Sequence, residues 1–464
     1  MIFEQHYLDC LSQASYFIGD ESSKRAVVVD PRRDISPYLE SATEHGMSIE
    51  MVIETHFHAD FLSGHLELAA ATGAVVAYGS VAETEFESRK LTHRERISLG
   101  EVILEIRHTP GHTPESISIV VFEHADDEEP YGVLTGDTLF IGDVGRPDLL
   151  SSKGVTSEDL ASQLFDSLHQ ELLTLPDTSR VFPAHGAGSS CGKSLSTETT
   201  STIGEQRSSN YALAPMAKDD FIRVVTDGQT APPAYFSYDA SRNRENHPIL
   251  DEKTPPPPLD IETVIRRQRL GAVVLDTRDP NEFAVGHLVG AVNVGLAGRY
   301  AEFAGGVIQP GAPIVLVTDP GMELEAKNRL ARIGFDNVVG HLADPVTTMH
   351  DHPDDVARSA RVDVAGLDEA LGTTEDLQLV DVRQPGETEA GTIPGATLIP
   401  LTRLNERLAS LDASRPTIVY CAGGFRSSIA ASRLAAAGFG DVADLLGGYG
   451  AWQAVHDETG VPTP

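Results

Sequence analysis

Cysteine is scarce in this chain. Its 464 residues include three cysteines, Cys10, Cys191 and Cys421, and they lie far apart in the sequence. Three scattered thiols cannot form the framework of paired cysteines that stabilises many small secreted domains. Because thiols stay reduced inside cells, this composition favours a cytoplasmic protein.

Long apolar runs and an excess of basic residues are also missing. No run reaches the roughly 20 apolar residues that a membrane-spanning helix needs, and the first residues lack the pattern of a secretory signal peptide. The chain has 35 basic against 69 acidic residues, a formal net charge of −34. Charge of this sign argues against a phosphate-neutralising surface. We therefore expect neither a membrane nor a nucleic acid as a partner.

The acidic excess itself has two interpretations. The simpler one is solubility, since like-charged molecules repel one another. The other is adaptation to high salt, where ions screen the repulsion between carboxylates on one molecule. The sequence leaves both open.

Length and composition predict several globular domains. A chain of 464 residues is too long for one ordinary core, and its 41% apolar and 22% charged content is typical of globular proteins. Strand and helix patterns alternate up to about residue 240, and the four prolines Pro255–Pro258 then indicate a stiff linker. We predict an α/β multidomain protein with a domain at residues 1–242, a linker at 243–259 and two domains at 260–350 and 361–464.

The most informative stretch is Thr55–Phe61, with the sequence T-H-F-H-A-D-F. It contains His56, His58 and Asp60, between an apolar strand pattern that ends at Ile53 and the start of a helix pattern. In α/β folds, ligands bind where strands end. Imidazole and carboxylate groups at alternating positions can turn their lone pairs to one metal ion. For an isolated histidine pair, a hydrogen-bonded polar turn is the alternative.

Three later residues strengthen the metal interpretation. His112 lies in a turn rich in proline and glycine, and Asp137 and His185 each follow an apolar strand pattern. In order and context these residues and Thr55–Phe61 resemble the metallo-β-lactamase superfamily, whose members carry an HxHxDH motif followed by single His, Asp and His ligands. The resemblance covers the first half of the chain and implies an αββα sandwich.

One departure from the family pattern changes the expected chemistry. Hydrolases of the superfamily hold two metals and use a histidine after the aspartate, where this chain has Phe61. Phenylalanine cannot coordinate a metal. The remaining residues, His56, His112 and Asp137, are the two histidines and one carboxylate of non-haem Fe(II) oxygen chemistry. This set, together with the sequence Thr135–Leu149, resembles the persulfide dioxygenases.

The persulfide dioxygenase resemblance implies a cofactor and roles for neighbouring residues. We expect one Fe(II) per chain and no organic cofactor. His58, Asp60 and His185 should not bind the metal. They should orient its ligands or hold water by hydrogen bonds.

Four further residues are candidates for substrate binding. Arg146 and Asp148 follow Asp137 within one loop, so they could lie at the entrance of the metal site or form a surface ion pair of little energetic value. Cys191 could be a thiol near the site, with its pKa lowered by Lys193. Alternatively, it is a small residue in a loop of glycine and serine.

An internal repeat fills the chain beyond the linker. Both copies contain a strand pattern followed by Asp-x-Arg, then a Gly-Ala turn, at a spacing of about a hundred residues, which is the size of a small domain. The matching segments are residues 272–278 with 377–383, 287–291 with 392–396, and 332–335 with 436–439. This order of elements resembles two α/β domains of the rhodanese type.

The second copy carries a thiol in a glycine-containing loop. Cys421 follows the strand pattern Ile418–Tyr420, and Gly423 and Gly424 precede a helix pattern. The N–H groups of such a loop and the positive end of the helix favour the thiolate. The segment resembles the rhodanese active loop, which implies that Cys421 is the nucleophile and that Arg426 closes a six-residue ring. Its two glycines are candidates for substrate contacts.

The first copy has no such thiol. Its corresponding strand pattern, Ile314–Val317, is followed by Thr-Asp-Pro-Gly, and the chain has no cysteine between Cys191 and Cys421. We predict that residues 260–350 form an inactive rhodanese-like domain.

The two resemblances together predict an enzyme of sulfide detoxification. The sandwich would oxidise a low-molecular-weight thiol persulfide with O2 to sulfite at a mononuclear iron. The rhodanese domain would transfer sulfane sulfur, with sulfite as acceptor and thiosulfate as product. A homo-oligomer is possible. The alternatives are a zinc thioester hydrolase of the glyoxalase II kind and a non-catalytic sulfur carrier or sensor.

Overall fold

The computed structural model describes residues 1–149 and 154–458 and divides into two compact units. The first, the sandwich unit, comprises Met1–Pro232, Phe236–Asp251 and Arg332–Gly334. The second, the repeat unit, comprises Pro233–Tyr235, Glu252–Ala331 and Phe335–Pro464. The first unit thus extends several residues past the sequence-based boundary at residue 242.

Two six-stranded sheets form the middle layers of the sandwich unit. One has the order β1-β2-β3-β4-β5-β6 and the other β12-β11-β10-β9-β8-β7. The strands are β1 Ile2–Leu8, β2 Gln13–Gly19, β3 Arg25–Val29, β4 Ser48–Ile53, β5 Val75–Gly79, β6 Arg89–Leu91, β7 Arg96–Ser98, β8 Ile103–His108, β9 Ile117–Phe122, β10 Gly132–Gly136, β11 Arg180–Pro183 and β12 Ser201–Thr202.

Helices cover the outer faces of these sheets. They are α1 Ser36–His45, α2 His65–Thr72, α3 Ser157–Ser167, α4 Ile203–Ser209, α5 Lys218–Thr226 and α6 Phe236–Arg242. Strand β3 shows how the sequence specifies the layers. Val27 and Val29 pack into the core between the sheets, whereas Ala26 and Val28 pack beneath the helices. Successive side chains of a strand point to opposite faces, so an all-apolar strand is buried on both sides. The αββα expectation is confirmed.

The repeat unit contains two five-stranded sheets of the same design and a two-stranded antiparallel sheet formed by β15 and β19. The five-stranded sheets have the orders β13-β18-β17-β14-β16 and β20-β24-β23-β21-β22, and all of their neighbouring strands are parallel. The strands are β13 Pro258–Leu259, β14 Val273–Asp276, β15 His287–Leu288, β16 Val292–Asn293, β17 Ile314–Val317, β18 Val338–Leu342, β19 Val356–Ala357, β20 Ala360–Val362, β21 Gln378–Asp381, β22 Thr397–Leu398, β23 Thr417–Tyr420 and β24 Val442–Leu445.

Ten helices accompany these sheets in the described residues. They are α7 Ile261–Arg269, α8 Pro280–Val285, α9 Tyr300–Val307, α10 Glu323–Ala331, α11 Pro345–Asp351, α12 Val364–Thr373, α13 Pro385–Thr388, α14 Leu404–Arg407, α15 Phe425–Ala436 and α16 Gly448–Glu458. Within residues 1–149 and 154–458, no helix has both the length and the apolar character needed to cross a bilayer.

The proline run ends in an edge strand. Pro258 and Leu259 form β13, which pairs with β18. Proline lacks an N–H, so it fits only at a sheet edge. Here the carbonyl of Pro257 accepts a hydrogen bond from the N–H of His341 at 2.9 Å. The end of the segment predicted as a linker is therefore part of the first repeat's sheet.

Candidate metal centre and candidate thiol loop

Three predicted ligands come together in the sandwich unit. His56 follows β4, His112 lies in the turn between β8 and β9, and Asp137 follows β10. The Nε2 atoms of His56 and His112 lie 3.7 Å and 3.5 Å from Oδ2 of Asp137. All three side chains are buried. The strand ends of the two sheets thus bring two nitrogens and one oxygen to one point.

The hydrogen-bond partner of His112 determines which nitrogen has a free lone pair. Its Nδ1 lies 2.8 Å from the backbone carbonyl oxygen of Arg146. A carbonyl can only accept, so Nδ1 must carry the hydrogen. Nε2 of His112, which lies beside Asp137, then carries no hydrogen and has a lone pair available for a metal ion.

A longer chain of hydrogen bonds determines the tautomer of His56. Its Nδ1 lies 2.9 Å from Oγ1 of Thr55, and that hydroxyl lies 2.8 Å from Oδ2 of Asp30. The backbone N–H of Thr55 donates to Oδ1 of Asp30 at 2.7 Å. Because the Thr55 hydroxyl donates to the carboxylate, it accepts from Nδ1–H of His56. Burial raises the pKa of Asp30, and His58 opposes that rise.

Asp137 is held as a carboxylate by a second histidine. Its Oδ1 accepts from Nδ1 of His185 at 2.8 Å, and Nε2 of His185 lies 2.7 Å from Oδ2 of Asp60. Burial raises the pKa of Asp137, but His185 and His56 outweigh it and hold that pKa well below its usual range. The pKa of His185 is raised well above its usual value, because Asp137 and Asp60 outweigh burial.

The donor set fits a divalent metal ion. Nε2 of His56 and Oδ2 of Asp137 are buried and have no hydrogen-bond partner. Such atoms cost free energy unless something satisfies them. A cation between two imidazole nitrogens and a carboxylate oxygen does so, and two histidines with one carboxylate suit a non-haem iron. His56, His112 and Asp137 would hold it.

His58 faces two buried carboxylates with one of its ring nitrogens. Its Nε2 lies 3.1 Å from Oδ1 of Asp30 and 3.5 Å from Oε2 of Glu54. Burial lowers the pKa of His58, but Asp30 and Glu54 outweigh it and raise that pKa to about 10. The ring of Phe61 packs 4.3 Å from the His58 ring. Of the three residues expected to orient the ligands, His185 contacts Asp137, Asp60 acts through His185, and His58 bonds to neither histidine of the centre.

Arg146 has two roles in the structure. Its backbone carbonyl accepts a hydrogen bond from His112, and its side chain is buried. Its guanidinium pairs with Asp148 at 2.6 and 2.7 Å and donates to the carbonyl oxygens of Ser190 and Thr230. Only 1% of Arg146 is exposed. The ion pair with Asp148 within the loop therefore forms, but Arg146 is buried and does not lie on the surface. Its carbonyl contact places it beside the metal centre.

Cys191 lies near the centre, but Lys193 does not activate it. The Cys191 sulfur is within 4.8 Å of ligand atoms of Asp60 and His185. Burial, Asp60 and Asp137 raise the pKa of the Cys191 thiol well above its usual value. Nζ of Lys193 instead donates to the carbonyl oxygens of Val224, at 2.8 Å, and Asp227. The alternative in which Lys193 lowers the pKa of Cys191 is therefore wrong.

Sequence reasoning missed the residues behind the ligands. Asp30, Glu54 and Thr55 are all buried, and each lies just past β3 or β4, which are neighbours in one sheet. Polar residues that directly follow adjacent parallel strands meet at one edge. That signal could have identified Asp30, which follows the apolar run of β3.

The second predicted centre is the Cys421 loop of the repeat unit. Cys421 directly follows β23, and its sulfur accepts a hydrogen bond from the N–H of Gly424 at 3.1 Å. Gly424 has φ +97°, and a Cβ there would lie 3.2 Å from the backbone nitrogen of Gly447. The loop thus needs glycine to aim this N–H at the thiol. The Ser427 hydroxyl lies 3.6 Å from the same sulfur.

Arg426 is fixed by a carboxylate. Its guanidinium donates to both oxygens of Glu387 at 2.7 and 2.6 Å. A cleft of about 570 Å³ lies beside the loop and is lined by residues of both repeats, including Gly423 and Gly424. The two predicted glycine contacts therefore line a cavity large enough for a small molecule.

Thr318 takes the position of Cys421 in the first repeat. Val317 pairs with Asp276 in that repeat as Tyr420 pairs with Asp381 in the second. The residue that follows each strand end is therefore equivalent. The Thr318 side chain is buried, and its hydroxyl cannot replace a thiolate as a sulfur carrier.

Comparisons with known proteins agree with this architecture. Residues 8–185 match the family model of the metallo-beta-lactamase superfamily, and residues 261–344 and 364–455 match that of the rhodanese-like domain. The solved structure of a metallo-beta-lactamase from Staphylococcus aureus is 33% identical, with a TM-score of 0.66, and covers 73% of this chain and 98% of its own.

Two curated relatives resemble the sandwich unit. The mitochondrial persulfide dioxygenase ETHE1 of Homo sapiens is 27% identical over 215 residues, which is 46% of this chain and 75% of the relative. The cytoplasmic hydroxyacylglutathione hydrolase of Arabidopsis thaliana is 31% identical over 182 residues, 39% of this chain and 66% of the relative.

The fold and the two centres define a class: an αββα sandwich with a buried His/Asp donor set, fused to tandem rhodanese-like domains. The chain belongs to the metallo-β-lactamase superfamily and carries two rhodanese-like domains. The predicted fusion is confirmed. The likeness to a persulfide dioxygenase and the rhodanese-like domains support a role in sulfur metabolism.

Proposed function

We propose that the sandwich unit oxidises a low-molecular-weight thiol persulfide with O2 and that the second rhodanese-like domain transfers sulfane sulfur. The observation that carries the proposal is the ligand set. His56, His112 and Asp137 converge, while Phe61 supplies no donor. Three protein ligands leave coordination positions open for a substrate and O2.

The proposed oxidation is RSSH + O2 + H2O → RSH + SO3²⁻ + 2 H⁺. The S–S bond breaks, the outer sulfur loses four electrons and O2 gains them. Fe(II), one per chain, would supply the redox chemistry that allows O2 to react with the sulfane sulfur. No organic cofactor is needed for this balance.

The protein's own residues hold the donors ready. His185 and Asp60 keep Asp137 ionised through contacts of 2.8 and 2.7 Å. The carbonyl of Arg146 and the hydroxyl of Thr55 keep the ligand nitrogens free of hydrogen. Groups held this way need no rearrangement when reactants bind, which lowers the barrier.

The proposed transfer step uses Cys421. A persulfide on that cysteine would give its outer sulfur to sulfite: Cys–SSH + SO3²⁻ → Cys–SH + S2O3²⁻. The S–S bond breaks, and its electron pair stays on the cysteine sulfur. The N–H of Gly424, 3.1 Å from that sulfur, stabilises the leaving thiolate. In the first repeat Thr318 occupies the position of Cys421, so that domain would be inactive in sulfur transfer.

One experiment tests the oxidation. The protein is loaded anaerobically with Fe(II), and O2 uptake and sulfite are measured with persulfides of glutathione, coenzyme A and other small thiols. We expect uptake with at least one of them and none after His56→Ala. Absence of uptake with every persulfide, at one bound iron per chain, would contradict the proposal. Cytoplasmic location and a possible homo-oligomer remain part of the proposal.

One observation favours a second candidate, a zinc thioester hydrolase. Asp60, His185 and Cys191 form a further group whose ligand atoms lie within 4.8 Å of one another, so a second metal could bind beside the first. Each ring nitrogen of His185 already faces a carboxylate, however. Two zinc ions per chain with thioester hydrolysis would establish this candidate; one iron with O2 uptake would reject it.

A further inference from the structure

The cleft beside the Cys421 loop has walls from both repeats. On the side of the second repeat it is lined by Gly423 and Gly424, and on the side of the first by Asp279 and Asp319, among others. The N–H of Gly424 donates to the sulfur of Cys421. A molecule of moderate size in this cleft of about 570 Å³ therefore lies against the loop that holds the thiol.

The wall from the first repeat contains a buried hydroxyl group. Thr277 lines the cleft and is 4% exposed. Its Oγ1 has no hydrogen-bond partner within the described part of the chain. A buried hydroxyl without a partner costs free energy, and a ligand that hydrogen-bonds to it recovers that cost. Thr277 therefore indicates a ligand with a polar group on this side of the cleft.

The second repeat shows that the scaffold does not require polar residues at these positions. The Asp-x-Arg segments and the strand ends of the two repeats align residue by residue. In this alignment Thr277, Asp279 and Asp319 correspond to Val382, Gln384 and Ala422. The second repeat thus folds with an apolar or uncharged residue at each position. The polar residues of the first repeat therefore serve the cleft and not the fold.

The unpaired charge that faces the cleft is negative. Arg361 also lines the cleft, but its guanidinium donates to both oxygens of Asp444 at 3.0 and 2.8 Å. Asp279 and Asp319 are exposed, and neither forms an ion pair with any residue that the structure describes. We refer to Asp279 and Asp319 as the two cleft carboxylates.

The guanidinium groups near the two loops are paired as well. Arg426, close to Cys421, donates to both oxygens of Glu387 at 2.7 and 2.6 Å. Arg278 of the first repeat is paired with Asp276. The two cleft carboxylates are thus left to act on a bound molecule, so a cation is favoured in the cleft and an anion is disfavoured.

We propose that the cleft binds the thiol persulfide that delivers sulfane sulfur to Cys421, and that the first repeat selects a persulfide that carries an ammonium group. The two cleft carboxylates attract the ammonium, and the Thr277 hydroxyl bonds to a polar atom of the same molecule. The inference rests on the proposed sulfur transfer at Cys421 and is independent of the metal centre. It gives the repeat without a thiol a role in substrate selection.

The delivery step is RSSH + Cys421–S⁻ → RS⁻ + Cys421–SSH. The thiolate attacks the outer sulfur of the donor and forms a new S–S bond. The S–S bond of the donor breaks, and its electron pair leaves on RS⁻. No oxidant or reductant is consumed. The step produces the cysteine persulfide that sulfite then attacks in the proposed transfer.

Three thiols of similar size test the selection in the full-length protein. The persulfides of cysteamine, 2-mercaptoethanol and 3-mercaptopropionate carry an ammonium, a hydroxyl and a carboxylate group. Each is mixed with the protein without O2, so that oxidation does not consume it, and sulfur bound to Cys421 is followed by mass spectrometry. We expect the cysteamine persulfide to react fastest and the mercaptopropionate persulfide slowest.

Removal of the charges separates selection from intrinsic reactivity. In Asp279→Asn combined with Asp319→Asn, asparagine still caps the helix that Asp279 begins. The preference for the cysteamine over the mercaptopropionate persulfide should fall by about 3- to 10-fold at low salt, the size expected for two exposed carboxylates. Asp354→Asn removes an exposed charge outside the cleft and should keep the wild-type preference.

The ratio between wild type and variant cancels the different leaving abilities of the three thiols. The wild-type preference should also decrease as salt is added, because salt screens exposed charges. A preference that the double variant leaves unchanged would overturn the proposal.

Sulfite should show an effect of the opposite sign. The two cleft carboxylates repel this anion, so the double variant should react faster when sulfite attacks a preformed persulfide on Cys421. Slower reaction with both sulfite and the cysteamine persulfide would mean that the carboxylates support the structure of the loop, and would contradict selection by charge.

Thr277→Val tests the hydroxyl. Valine stands at the equivalent position of the second repeat, so the scaffold accepts it. The free energy of unfolding should not decrease, because the hydroxyl has no partner to lose. The concentration of cysteamine persulfide that gives half the maximal rate should rise about 3- to 10-fold, as for one lost hydrogen bond, and Thr277→Ser should restore it. An unchanged concentration would contradict the role of Thr277 in binding.

Failure of the selection is distinguishable from failure of the proposed function. If none of the three persulfides places sulfur on Cys421, the proposed sulfur transfer is wrong. If all three do so and their relative rates are the same in the double variant, the transfer stands and the selection by the first repeat is wrong.

Discussion

The two rhodanese-like repeats share a scaffold and differ in one loop. Each contains a buried Asp-x-Arg ion pair at the end of β14 or β21, Asp276 with Arg278 and Asp381 with Arg383. Each loop also has a glycine with positive φ three residues past Thr318 or Cys421, Gly321 at +87° and Gly424 at +97°. The two loops therefore share this feature of the backbone.

The two loops differ in the acceptor of one backbone N–H. In the second repeat the N–H of Gly424 donates to the sulfur of Cys421. In the first, the N–H of Gly321 donates at 3.2 Å to the carboxylate of Glu323, which occupies the position of Arg426. A carboxylate in place of a guanidinium disfavours an anion in the loop. The comparison teaches that scaffold and chemistry are specified by different residues.

The largest expected effect is the loss of the thiol. Cys421→Ser removes the cysteine of the repeat unit, and an alcohol at ordinary pH cannot accept sulfane sulfur as a thiolate does. We predict that the variant forms no thiosulfate above the uncatalysed rate. It should still consume O2 with persulfide, and sulfite should accumulate.

Thiosulfate and sulfite are measured together after a fixed turnover, with Cys10→Ser as the matched control that changes a cysteine outside both centres. Wild-type thiosulfate formation by Cys421→Ser would show that another thiol carries the sulfur. Loss of O2 uptake in the variant would show that the two centres are coupled.

The next effect concerns the shared scaffold. Asp381→Ala leaves Arg383 buried without its partner, and breaking a buried ion pair in this way costs about 3–5 kcal/mol. Asp276→Ala should cost a similar amount in the first repeat. Chemical denaturation followed by far-UV circular dichroism measures both. A much smaller cost in one repeat would show that the pair is not a common element of the scaffold.

A smaller effect is expected from the glycine of the Cys421 loop. Gly424→Ala forces a side chain into the left-handed region and against the backbone of Gly447, a strain of about 1–3 kcal/mol. If the loop relaxes, its N–H leaves the Cys421 sulfur, and sulfur transfer slows while O2 uptake continues. Gly440→Ala, which meets open space, is the control. An unchanged transfer rate would mean that the N–H contact is unimportant.

The smallest expected effect is no effect. Thr318→Cys, added to Cys421→Ser, places a thiol at the equivalent position of the first repeat. We predict that it does not restore thiosulfate formation, because Glu323 takes the N–H of Gly321 and disfavours the thiolate. Restored activity in a sulfur-transfer assay would show that the missing cysteine is the only difference between the repeats.

Local patterns were enough to predict much of the fold. The apolar run of β3 predicted a strand buried on both faces, and Asp137 and Cys421 were found because each directly follows such a strand. The placement of the ligands at one edge follows from the strand order, which the family pattern supplied. Residues 459–464, part of the predicted domain at 361–464, lie outside the described residues.

Contacts between distant segments could not be predicted in the same way. Lys193 is two residues from Cys191, yet its ammonium bonds to carbonyls more than thirty residues further along, as the separations of 31 and 34 residues show. The burial of Arg146 likewise depends on Thr230, 84 residues away. Sequence proximity does not reveal such partners, because a long side chain can reach acceptors on a loop that is distant in the sequence.

The central claim is a mononuclear iron centre that consumes O2. Its most direct test is to load the wild-type protein anaerobically with Fe(II), determine the iron bound per chain and follow O2 and persulfide consumption together. The account predicts one iron per chain and one O2 consumed for each persulfide oxidised. Two zinc ions retained per chain, with thioester hydrolysis and no O2 uptake from any persulfide, would contradict it.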